Sequence, residues 1–123
     1  MVSGMLRIII PLTSGCTVLD AHGIDSIDEL RARVDRKTCL LIDALLTIIA
    51  ELDEAISGTY NPSFIRELQH KSLDSATENI LRFLLETAGV EYSIHRVSDS
   101  ETCKTFTRHS VNYVILVEKL CGS

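Results

Sequence analysis

The sequence predicts an α+β fold, with two to three packed helices, one of them long and central, against a small sheet of three to five strands formed by both chain ends. Three observations lead to this prediction. Residues 39–56 form the strongest apolar run, at helical spacing. β-Branched runs lie near both ends, at 5–10 and 111–117. The 123 residues have the length of one domain, so residues 1–123 are expected to fold as a single unit.

The first element is expected to be a strand, MLRIII, which ends at Pro11 because proline cannot donate to a sheet ladder. Its three consecutive isoleucines point to both faces of a sheet. This indicates that both faces of the strand are covered, by helices or by a partner chain. A turn follows at 13–15, and CTVLDA is a candidate second strand.

A capping-box pattern, Ser26 followed by Glu29, predicts the start of a helix. After this cap, apolar residues recur at helical spacing on one face, so we expect a single helix over 27–56, about 45 Å long. That length is large for one domain. The alternatives are a break near Lys37 and Thr38, or ends that pack on a second subunit.

The central part of this helix carries an apolar stripe whose residues recur at steps of three and four. It consists of Leu41, Leu45, Ile48 and Leu52. Neighbouring aliphatic residues widen the stripe, and a narrow polar edge remains. A face this wide exceeds what two other helices cover, so the sequence predicts that the stripe forms an interface.

The next helix is predicted to start at Asn61 and Pro62 and to run through FIRELQHK. A further helix from about Leu73 to the stop at Gly89 is expected, and the two can be continuous.

The carboxyl-terminal part is expected to form strands. Residues 90–95 alternate with the period of a half-buried strand. The final strand is expected at 111–117, VNYVILV, after a polar stretch in which TFT is also a candidate for extended structure.

Composition and charge limit the function. The chain is 46% hydrophobic but only 5% aromatic, which indicates an aliphatic core. Its formal net charge of −5 argues against general affinity for nucleic acid phosphates, although this charge is compatible with a local basic patch.

The four cysteines, Cys16, Cys39, Cys103 and Cys121, are far apart and show no zinc-ligand spacing. Free thiols are expected, with a disulfide as the alternative. Neither a signal peptide, a transmembrane segment nor a lipidation motif is visible, so a cytoplasmic protein without cofactor or membrane partner is expected.

The first candidate site is the loop at 13–23, which carries Ser14, Cys16, Asp20 and His22. A cysteine beside a histidine can act as nucleophile and base, and loop amides at a helix start can hold an anion. An ordinary turn is the favoured interpretation.

The second candidate is a basic cluster in the carboxyl-terminal part, made of His95, Arg96, Lys104, Arg108 and His109. A hairpin could bring several of them to one face for a phosphate or an acidic partner. Nearby acids balance the charge, so a solvated face is favoured. The possible ligand-binding residues are therefore Ser14, Cys16, His22, Arg96, Arg108 and His109.

Acidic residues on the central helix form the third candidate. Glu51 and Glu54 form an ExxE pattern, but metal sites of this type need acids from a second helix at matching spacing. No metal site is therefore predicted.

One family resemblance exists. Residues 27–45, IDELRARVDRKTCLLIDAL, resemble the first helix of the all-helical chorismate mutases, and NPSFIRELQHKSLDSA resembles their last helix. The resemblance implies that Arg31 matches an arginine that reaches across a dimer. A second arginine and a lysine of that family are replaced by Ile48 and Thr59, and the middle helix is absent. No active site is carried over.

These observations favour a non-catalytic protein–protein interaction module or complex subunit that self-associates as a homo-oligomer, through the long helix or through the edge of the sheet. The alternative is a small-molecule, nucleotide or anion-binding protein, or a small enzyme, that uses the 13–23 loop with the basic carboxyl-terminal hairpin. No catalytic residue is predicted.

Overall fold

The computed structural model describes residues 4–122. It confirms the α+β class, with five helices and one mixed sheet of four strands. In chain order the elements are β1 (Met5–Pro11), β2 (Cys16–His22), α1 (Ile27–Arg33), α2 (Arg36–Gly58), α3 (Ser63–Thr87), β3 (Tyr92–Val97), α4 (Ser100–Thr107), β4 (Val111–Asn112) and α5 (Tyr113–Cys121).

The sheet has the strand order β3-β2-β1-β4. β1 and β2 form an antiparallel hairpin, β3 extends it antiparallel to β2, and the short β4 lies parallel to β1. Gly15 makes the β1–β2 turn possible with φ +83°. A side chain at Gly15 would also collide with the backbone carbonyl of Val97, so the turn packs directly against the end of β3.

The prediction of a sheet formed by both chain ends is wrong at the carboxyl end. Only Val111–Asn112 are extended, and the rest of the expected strand forms α5. The Asn112 side chain caps α5 by accepting a hydrogen bond from the Val114 backbone N–H, 2.8 Å away. Residues at helical spacing, Leu116 and Leu120, then reach the core. The expected extension at TFT is also wrong, because these residues belong to α4.

The single helix expected over 27–56 is divided into α1 and α2 at Val34 and Asp35. Asp35 caps α2, because its carboxylate accepts a hydrogen bond of 2.7 Å from the Thr38 backbone N–H. This bond holds the pKa of Asp35 below its ordinary value. The predicted cap of α1 is confirmed, since Ser26 accepts a hydrogen bond from the Glu29 N–H.

α3 is one continuous helix that ends before Gly89, whose φ is +69°. Pro62 precedes it, and Asn61 does not cap it. α2 and α3 pack against each other, joined by residues 59–62.

The core lies mainly between the helices and one face of the sheet. It contains Ile8, Ile10, Leu19, Leu30, Ile42, Leu81, Leu84, Leu85 and Leu116. A smaller cluster on the opposite face joins Ile9 and Val18 to α4. The three isoleucines of β1 are all buried, so the prediction of cover on both sheet faces is confirmed.

Two disulfides fasten helices to the rest of the fold. Cys16 of β2 is bonded to Cys103 of α4, and Cys39 of α2 to Cys121 of α5. The expectation of free thiols is wrong, because the fold brings these distant residues to Cα separations of 6.1 and 5.4 Å.

Candidate functional site

The predicted interface stripe of α2 is exposed along its whole length. The exposed fractions of Leu41, Leu45, Ile48 and Leu52 are 49, 36, 50 and 48%. α2 instead turns Cys39 and Ile42 into the core, toward α3 and α5. An aliphatic face therefore remains available on the surface, although its role as an interface stays a prediction.

The outer part of the α2–α3 pair, which we call the distal hairpin, comprises residues 43–76. None of these residues, all of which the structure describes, is buried. The aromatic residues Tyr60 and Phe64 and the aliphatic Leu68 are strongly exposed near its tip. One polar link across the pair joins Asp53 to the ring of His70, at 2.8 Å. The distal hairpin thus carries several large apolar side chains that are exposed.

A cavity of about 560 Å³ lies between the β1–β2 turn, α3 and the end of β3. Ser14 and Arg96, two residues predicted as ligand-binding, both line it. The turn is attached to α3 because the backbone N–H and the hydroxyl of Thr13 donate to Asp74, over 3.2 and 3.1 Å. The structure therefore brings together two predicted residues that lie far apart in sequence.

A buried network supports one wall of this cavity. Glu78, only 7% exposed, accepts hydrogen bonds from the Thr17 hydroxyl at 3.0 Å and from two nitrogens of Arg96. Arg96 keeps much of its side chain in solvent. Lys71, on the same cavity, pairs with Glu67. The cavity thus combines fixed charges of both signs with hydroxyl groups, a lining that suits a small polar ligand.

The hypothesis of a Cys16 nucleophile with His22 as its base is wrong. Cys16 has no thiol, because it is bonded to Cys103. It lies at the opposite end of β2 from His22, about 20 Å away at 3.3 Å per residue. The His22 ring instead lies 3.0 Å from the Ser93 hydroxyl.

Next to these residues, β1 and β2 carry an ion pair on the sheet face that α4 partly covers. Asp20 accepts hydrogen bonds from Arg7 at 2.7 and 3.0 Å, and this bonding raises the pKa of the guanidinium. The guanidinium carbon also lies 4.9 Å from the centre of the Phe106 ring. The carboxylate is thus occupied, and these contacts serve to hold α4 on the sheet.

The expected basic hairpin does not form, because residues after Asn112 are helical. Lys104 lies on α4, and Arg108 and His109 follow that helix, exposed. None of the three lines the cavity, and neither does His22 or Cys16.

The cavity also involves residues that sequence reasoning missed, chiefly Thr13, Asp74 and Glu78. Thr13 and Asp74 are 61 positions apart, as are Thr17 and Glu78. No local pattern signals such contacts, because only the packing of α3 on the sheet creates them.

The acidic residues of α2, including Glu51 and Glu54, are exposed. Among residues 4–122, no three or more His, Cys, Asp or Glu side chains form a group that could hold a metal ion. Within the same residues, no helix combines the length and the apolar character that crossing a bilayer requires.

Comparison with protein-family models, with curated proteins and with solved structures finds no match. The segment that resembles the first helix of the all-helical chorismate mutases is divided at Val34 and Asp35 and belongs to a fold that also contains a sheet.

Proposed function

We propose that this protein is a non-catalytic interaction subunit that self-associates through the α2 stripe and the distal hairpin. The observation that carries the proposal is the hairpin itself, which has no buried residue over the described positions 43–76 but exposes large apolar side chains. Burial of such side chains contributes roughly 25 cal/mol per Å² of apolar surface, so a partner that covers them gains stability.

The size of this surface suits a stable dimer. α2 has 23 residues and is therefore about 34 Å long. Two helices side by side at about 10 Å spacing present a face of roughly 700 Å². A standard protein–protein interface buries about 800 Å² on each partner. The hairpin with its immediate surroundings supplies an area of that order.

Replacing Ile48 by Asp is expected to raise the dissociation constant of the self-associated form about thirtyfold, or about 2 kcal/mol. The substitution removes apolar contact and places a carboxylate in the middle of the stripe. Sedimentation equilibrium over a wide concentration range measures this change.

Ile115→Asp on α5 is the matched control for this measurement. It makes the same substitution at an isoleucine that is 46% exposed and that lies on another helix, outside the stripe. Its dissociation constant should stay within about threefold of wild type. A wild-type protein that remains monomeric at high micromolar concentration would contradict the proposed function.

The disulfides support a location in an oxidising compartment. The expectation of a cytoplasmic location depends on the lack of a visible targeting signal and on free thiols, and the disulfides remove the second of these reasons.

A second candidate function is supported by the cavity that Ser14 and Arg96 share. Its hydroxyls and the partly exposed guanidinium suit a small anion or a phosphorylated molecule. Phosphate or a nucleotide at a hundred times its dissociation constant should stabilise the fold by about 2.7 kcal/mol, measured as a rise in melting temperature. Ser14→Ala should reduce this rise, whereas Ser110→Ala, outside the cavity, should not. If neither phosphate nor the nucleotide raised the melting temperature, this function would be excluded.

A further inference from the structure

One edge of the α2 stripe carries three residues spaced seven apart, Lys37, Ala44 and Glu51. Seven residues make nearly two helical turns, so the three form a line beside the leucines of the stripe. All three are exposed, and within residues 4–122 neither Lys37 nor Glu51 makes an ion pair. The opposite edge is different, because Ile42 is buried and Ile49 is half-buried there.

We propose that a second copy of this chain docks on the stripe with the two α2 helices antiparallel, and that Lys37 of each copy pairs with Glu51 of the other. This inference rests on the proposed self-association and adds its geometry. A two-fold axis then passes between Leu45 and Ile48, so that each of these residues meets the other across the interface.

The order of residues along α2 favours this orientation. Antiparallel packing about that axis also opposes Leu41 with Leu52, so every large residue of the stripe meets an apolar partner. An antiparallel arrangement places the charged edges of the two α2 helices side by side. Lys37 of one copy then lies within about five residues, or 7.5 Å along the helix axis, of Glu51 of the other copy. Heptad ion pairs in coiled coils span a similar offset.

Two further features support the antiparallel arrangement. Ala44 lies halfway between the two charges, and its small side chain permits close approach of the helices near the axis. A parallel arrangement would instead place this edge of each helix against the opposite edge of the other, where Ile49 is half-buried, and would leave Lys37 and Glu51 without charged partners.

Charge reversal tests the arrangement. Lys37→Glu and Glu51→Lys should each weaken the dimer about tenfold, because each change affects two symmetry-related contacts. The double variant should return to within about threefold of wild type, because the pair is restored with its signs exchanged. Lys104→Glu on α4 and Glu118→Lys on α5 make the same charge changes away from the stripe and should leave the dissociation constant unchanged.

Cross-linking of the wild-type protein gives a second, independent measurement. Lys37 and Glu51 of one chain are separated by about 21 Å along α2, too far for a zero-length carbodiimide cross-link. A Lys37–Glu51 cross-linked peptide in the dimer band therefore reports contact between two copies.

The outcomes separate the two proposals. A dimer that Ile48→Asp weakens but that shows neither the cross-link nor rescue in the double variant would overturn the antiparallel arrangement and leave self-association intact. A wild-type protein that is monomeric throughout would overturn both. Rescue together with the cross-link supports both.

Discussion

Replacing Cys39 and Cys121 together by alanine is expected to lower the free energy of unfolding by about 4 kcal/mol at 25 °C. The disulfide joins residues that are 82 positions apart, and a cross-link over so long a loop strongly restricts the unfolded chain. It also connects the start of α2 to the end of α5, so its loss loosens both helices. Urea unfolding, followed by far-UV circular dichroism at fixed protein concentration, measures the change.

Reduction provides the control for this prediction. In a reducing buffer neither the wild type nor the variant holds a cross-link, and their difference should fall to about 1 kcal/mol, the packing contribution of the removed sulfur atoms. A difference that stayed near its oxidised value under reduction would contradict the cross-link explanation. It would assign the lost stability to packing around the buried Cys39.

Replacing Asp20 by Ala is expected to lower the free energy of unfolding by about 3 kcal/mol. The Asp20 side chain is only 5% exposed and accepts two hydrogen bonds from Arg7. Without it, the Arg7 guanidinium, which lies over Phe106, keeps its charge in a partly covered position without a carboxylate. An uncompensated charge in such a place costs more than the intact pair contributes. Urea unfolding at neutral pH measures this loss.

Two variants sharpen this second prediction. Asp28→Ala removes a carboxylate that is 88% exposed, and the stability should change by less than about 0.5 kcal/mol. The double variant Arg7→Met with Asp20→Leu replaces the whole pair by apolar side chains and should recover more than half of the loss. If the double variant were as unstable as Asp20→Ala, the unpaired charge would not be the cause.

The start of α1 and the end of α3 could be predicted from local signals in the sequence, whereas the carboxyl-terminal helix was not predicted. The cap at Ser26 and the stop at Gly89 depend on neighbouring residues, so their sequence patterns are reliable guides. VNYVILV is a short, β-branched apolar run, and periodicity alone does not distinguish a buried strand from a buried helix. The cap at Asn112 and the burial of Leu116 decide in favour of α5.

The division of the long helix shows how a single side chain overrides a continuous pattern. Apolar residues recur on the same helical face before and after Val34, and this pattern favoured a single helix. Asp35 prefers a cap to a helix interior, because its carboxylate competes for backbone N–H groups. Its bond to the Thr38 N–H starts a new helix there.

The candidate surfaces were predictable to different degrees. Local spacing placed the residues of the α2 stripe on one face of the helix. It did not indicate that this face is exposed in the single chain, and the function of the stripe is a proposal. The cavity could be anticipated only through Ser14 and Arg96, since Thr13 meets Asp74 through tertiary packing. Disulfide pairing likewise depends on which cysteines the fold brings together, and four cysteines allow three pairings.

The two disulfides interlock along the chain, because one connects positions 16 and 103 and the other connects positions 39 and 121. Any single peptide bond between Cys16 and Cys121 can therefore be cut without separating the two pieces, since at least one cross-link always bridges the cut. With respect to one backbone break, this chain behaves as a closed ring. The exposed connection at residues 59–62 is a place where a protease could nick the chain and leave a molecule of nearly unchanged mass that both disulfides hold together.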